Sequence, residues 1–142
     1  MKMERTLRRI VLLAALVVTL NLEMPVMADQ SSGNTLRAQA DAMMKNIEDM
    51  IAHGGMGDAK AILHHCGEAS RYAESLLTNI PASDPRRDQA SVSLNEVIHQ
   101  CKRASEMGPH SDPGLLLNPA IKARYAARES LKILGLQEAK RS

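Results

Sequence analysis

The stretch His53-Gly-Gly-Met-Gly-Asp-Ala-Lys-Ala-Ile-Leu-His-His-Cys-Gly-Glu-Ala-Ser-Arg-Tyr-Ala-Glu74 decides the architecture. Gly54, Gly55 and Gly57 end one helix and make a tight turn, because glycine reaches the backbone conformations that close a helix. Asp58 is placed to cap the helix that follows. From there small and apolar residues recur at Ala59, Ile62, Cys66, Ala69, Ala73 and Leu76, in alternating steps of three and four. That period marks one helical face packed into a narrow seam.

The same rhythm continues on both sides. Leu36, Ala40, Met43, Ile47 and Met50 predict a first helix over residues 35–53, with Asn34 as its N-cap and the polar residues 29–34 loose before it. Residues 79–85 read as a loop, and Asp84 with Pro85 at the first helical position opens a third helix. Its stripe is Ala90, Leu94, Val97, Cys101 and Ala104. Residues 108–114 form the longest break. Asn118-Pro119 then opens a fourth helix carrying Ala120, Ala127, Leu131 and Leu134, closed by Gly135, and residues 137–142 read as a frayed tail. Four helices with narrow seams and short loops predict an all-α fold, an antiparallel up-down-up-down four-helix bundle. The segment Ala73-Glu-Ser-Leu-Leu77 is echoed by Arg128-Glu-Ser-Leu-Lys132, so the bundle also reads as a duplicated helical hairpin.

Composition narrows the function. Lys2, Arg5, Arg8 and Arg9 precede the uncharged run Ile10–Leu20, and Val26-Met27-Ala28 follows as a small-residue cleavage site. This predicts a signal peptide over residues 1–28 and a periplasmic or secreted single domain over residues 29–142. The apolar run is shorter than the ~20 residues that span a bilayer, so no membrane association is expected after cleavage. Removing 28 of the 142 residues leaves 14 basic and 14 acidic side chains, and a neutral domain gives no reason to expect nucleic acid as a partner. Tyr72 and Tyr125 are the only aromatic residues, which argues against sites that stack sugars or bases.

Cys66 and Cys101 fall on the seams of the second and third helices, 17 and 18 residues from the turn near Ser83, and so at nearly the same height. Gly67 and Ala104 beside them would let the two backbones approach. A disulfide needs Cα atoms within about 7 Å, whereas packed helices usually lie 8–10 Å apart. Disulfide, buried thiols and a soft copper(I) site all remain open.

Few side chains point to chemistry. On the wheel of the second helix His65 flanks the seam, with Tyr72 on the same flank, while His64 faces water. His53 and Asp58 bracket the glycine turn. One edge of the first hairpin therefore presents His53, Asp58 and His65 as candidate metal ligands, since neutral imidazole suits copper, zinc or nickel and a carboxylate can complete such a site. The plain alternative is two surface histidines and an N-cap aspartate. Met43 and Met50 lie on the seam and read as core, while Met56 in the glycine turn is a candidate thioether. The single Glu96-x-x-His99 is half of a di-iron motif, and it faces away from the seam. There is no Cys-x-x-Cys-His, no Gly-x-Ser-x-Gly and no phosphate loop, so an enzyme is not expected.

Residues 47–76, with His at the turn and on one helical flank, resemble the small metal-binding proteins of the bacterial periplasm. Those proteins are helical bundles that load divalent metals and copper through histidines at seven-residue spacing. The corresponding positions here hold Asn46, His53, Asp58, His65 and Tyr72. His99 is one residue off the pattern, and His110 lies in a Gly-Pro loop. The resemblance implies a periplasmic bundle that binds or buffers one or a few metal ions. A metal-free helical interaction or structural module of the cell envelope is the competing expectation.

Overall fold

The computed structural model describes residues 26–137. The chain divides into two compact units, residues 1–32 and residues 33–142. Of the first, residues 26–32 are described and are helical; the expected signal peptide otherwise lies outside the described residues. Among the described residues there are four helices and no strand: α1 Val26–Gly55, α2 Ala59–Asn79, α3 Arg87–Met107 and α4 Pro113–Leu134. None of them is long and apolar enough to cross a membrane.

The second unit is a four-helix bundle. Gln39 Nε2 donates to Ser75 Oγ at 2.7 Å, and Asn46 meets His65 at 3.0 Å, so residue numbers rise along α1 as they fall along α2. α3 packs on both α2 and α4, while α2 and α4 meet less extensively across the diagonal. Arg86 Nη1, at the start of α3, donates to the carbonyl of Leu134 at the end of α4 (2.9 Å). The ring closes where Glu48 of α1 accepts from Arg128 at 2.9 Å and from Arg124 at 3.5 Å on α4.

The seams read from the three-four spacing are the core. Ala40, Met43, Ile47 and Met50 of α1, Ile62, Cys66, Ala69, Ala73 and Leu76 of α2, and Ala90, Leu94, Val97, Cys101 and Ala104 of α3 are all buried. Ala120, Ala127, Leu131 and Leu134 of α4 join them. Each fully buried Leu, Ile or Met contributes about 1.5–3 kcal/mol relative to exposure. Alanines along the stripes let the helices approach without large aromatic side chains.

The helix ends differ from the expected ones in three places. α1 begins at Val26 rather than after Asn34, so residues 29–34 are helical and Asn34 is no cap. Ser, Asn and Gly each cost a helix under about 1 kcal/mol, and with no proline after Pro25 the helix propagates through them. α4 begins at Pro113, where Asp112 accepts the Gly114 N–H at 2.7 Å, and not at Asn118. Pro119 therefore sits inside the helix, where it lacks the N–H that would bond the Leu115 carbonyl. The longer helix brings Leu116 into the core, and Ala123, within the expected span, is buried as well. α3 is entered through a preliminary turn: Asp84 accepts from the backbone N–H of Arg86 at 2.9 Å, and the regular helix starts at Arg87.

Cys66 and Cys101 oppose one another across α2 and α3 as expected, but as two free, buried thiols and not as a disulfide. Gly67 plays no part in the approach: it is exposed, with open space where a Cβ would lie.

A two-histidine edge at the α1–α2 turn

The turn is built as the glycines imply. α1 ends at Gly55, Gly57 takes φ +80°, and Asp58 Oδ1 accepts the Ala61 N–H at 2.9 Å to start α2. The Asp58 N–H in turn donates to the His53 carbonyl at 3.0 Å. Gly54 serves differently from a turn glycine. It is buried, and a Cβ there would overlap Leu117 of α4. The missing side chain lets α4 press against the end of α1 and fixes where His53 stands.

His53 and His65 come together as expected. Their rings stack with centroids 5.2 Å apart and planes 17° from parallel. Both are half-buried, while His64 is exposed and meets His65 edge-on at 5.2 Å. Asp58 does not join them as a ligand. One of its oxygens is spent on capping α2, and the carboxylate that acts on His65 is that of Asp49. Asp49 stands four residues before His53, on the same face of α1. It is ion-paired with Lys45 at 2.7 Å. The Lys45 hydrogen bond holds Asp49 below the ordinary carboxylate value against burial, the next-largest effect, and the charges of Lys45, His65 and His53 add lesser pulls in the same direction as the hydrogen bond. Among the described residues no three His, Cys, Asp or Glu side chains are gathered into a ready coordination shell.

Asn46 supplies the finer geometry. Its Nδ2 donates to the Ala42 carbonyl at 2.9 Å, which fixes the amide orientation and turns Oδ1 toward His65. That oxygen lies 3.0 Å from His65 Nδ1. An amide oxygen only accepts, so Nδ1 carries the proton and donates, and Nε2 of the neutral ring keeps its lone pair. Burial lowers the His65 pKa below 6.5, only partly countered by Asp49, which favours that neutral ring. A ligand histidine is commonly held in this way, with one nitrogen anchored and the other bare.

The remaining candidates stand apart. His99 is exposed and pairs with Glu96 on its own helix at 3.6 Å. His110 is exposed in the loop before α4, Tyr72 lies under the Arg71 guanidinium at 4.3 Å, and Met56 is 70% exposed. A groove of about 710 Å³ between α1 and α4, lined by Met44, Glu48, Arg128 and Leu131 among others, includes neither His53 nor His65. Asp49 and the role of Asn46 were not among the features expected from the sequence. The signal was available for Asp49, since a carboxylate and an imidazole at i and i+4 share one helical face. It was weaker for Asn46, whose meaning depends on the facing helix. The chain matches no family model, no curated protein and no solved structure.

Proposed function

We propose that this chain is an exported helical-bundle protein that binds a transition-metal ion through His53 and His65, with water completing the coordination. Export rests on the pattern of residues 1–28. The observation that carries the metal reading is the Ala42–Asn46–His65 relay, which leaves His65 Nε2 bare beside the His53 ring. Two imidazoles on one tetrahedral zinc ion, with Zn–N of 2.0–2.1 Å, have ring centroids about 5 Å apart. The 5.2 Å spacing meets that need. The near-parallel stacking does not aim both nitrogens at one point, so binding includes a rotation of the His53 ring about its soft terminal torsion. Asp49, paired with Lys45, adds its negative charge beside His65. Neutral imidazole suits zinc, copper and nickel alike. The role is binding or buffering of metal and not catalysis.

The competing reading, a metal-free interaction module, draws on one observation: no three ligand side chains are gathered among the described residues. Calorimetry of the folded chain with copper, zinc and nickel separates the two. Saturable uptake at neutral pH, lost in His53→Ala/His65→Ala and kept in His99→Ala/His110→Ala, supports the metal reading. No uptake by the wild type, or uptake unchanged in the first double variant, overturns it.

A further inference from the structure

The chain has two cysteines, and the fold brings both to one place. They are 1% and 2% exposed and lie at matching heights on the facing seams of α2 and α3. The two cysteine side chains interact directly with each other, and the Ser70 side chain, one turn along α2, reaches Cys101. Ala69 and Ala104 flank the pair and are themselves fully buried, so small side chains separate the two backbones here. Two buried sulfurs that face each other across a seam lined by small side chains are placed for a cross-link. In a chain this short, with a modest core, such a bond removes much of the freedom of the unfolded state.

We propose that Cys66 and Cys101 form an intramolecular disulfide that clamps α2 to α3 in an oxidising medium. The inference is independent of the metal reading. The reaction is a pair of exchanges with a small disulfide such as oxidised glutathione. One cysteine thiolate attacks a glutathione sulfur, and the glutathione S–S bond breaks to release one thiolate and leave a mixed disulfide. The second cysteine thiolate then attacks the protein sulfur of that mixed disulfide and releases the other glutathione. Two electrons pass from the cysteines to glutathione, and the two cysteine protons end on the two glutathione thiolates. Because both sulfurs are buried in the folded bundle, the exchange takes place before the α2–α3 interface closes, and the finished bond is then shielded from reduction.

The test refolds the full chain in glutathione buffers from mainly reduced to mainly oxidised, quenches in acid, unfolds without reductant and alkylates free thiols for intact-mass measurement. The expected product in oxidising buffer is an unalkylated monomer lighter than the reduced chain by two hydrogens. That product should unfold at a higher urea concentration than the reduced form. A Cys66→Ala/Cys101→Ala variant, checked for helicity, should show one urea midpoint in every buffer. Two alkylated cysteines in every buffer, a persistent glutathione adduct, or disulfide-linked dimers in place of the monomer would overturn the proposal.

Discussion

Gly54 and Gly55 are neighbours in sequence and both belong to α1, yet alanine should act on them in opposite ways. Both substitutions gain the helix propensity that glycine lacks, about 0.5–1 kcal/mol in a helix interior and less near an end. At Gly55 a Cβ meets nothing within 4 Å, and φ is not positive. At Gly54 it would overlap Cδ2 of Leu117, lie 2.8 Å from its Cγ and stand 3.4 Å from Cδ1 of Ile62. Leu117 must then leave its place, and such overpacking costs about 1–3 kcal/mol. The propensity gain is common to both, so Gly54→Ala should be less stable than Gly55→Ala by about 1–3 kcal/mol. That difference corresponds to a fall in Tm of roughly 4–8 °C per kcal/mol for a domain near this size. Urea unfolding followed by circular dichroism gives both values. Leu117→Ala in the Gly54→Ala background supplies the cycle: the double variant should lose less than the sum of the singles, since the clash is gone. Equal stability of the two glycine variants, or strict additivity in the cycle, would refute the close approach of α4 to the end of α1.

Four other outcomes follow from the same geometry. Asp112→Ala removes the side chain that caps α4 and should cost about 1 kcal/mol in urea unfolding. Gly57→Ala forces a side chain into φ +80°, and a loss of about 1–2 kcal/mol should appear in the same assay. Burial lowers the pKa of His65 in the folded state, so the unfolded chain binds its proton first as pH falls. Relative to His65→Ala, the wild type should therefore lose stability as pH drops below 6.5 and lose no more once pH is below the folded value; a difference independent of pH would contradict this. Asn46→Ala should leave helicity intact but weaken metal uptake by about 10–100-fold in calorimetry, because His65 loses the acceptor that fixes its tautomer.

Much of the fold could be read directly from residue spacing. The stripes through Met43, Ile62, Leu94 and Leu131 were visible because a seam between helices needs apolar residues every three or four positions and nowhere else. The ends of α1 and α4 were not visible. Residues 29–34 look like a loop by propensity, but a helix already under way crosses weak residues at small cost. Pro119 looks like a helix start, yet Asp112 and Pro113 make an equally good one six residues earlier, and the burial of Leu116 decides between them. The histidine edge was half legible. Periodicity put His65 on the flank of the seam and His53 at the turn. It could not show that Asp58 would be occupied in capping α2, or that Asn46 would reach across to His65, because both facts depend on a second helix at a definite height.

The most direct test of the metal assignment is electron paramagnetic resonance of the full chain loaded with one equivalent of copper(II) at neutral pH. Nitrogen hyperfine structure from two imidazoles is expected, reduced to one in either His53→Ala or His65→Ala and absent from the double variant. A wild-type spectrum indistinguishable from that of the double variant would contradict it.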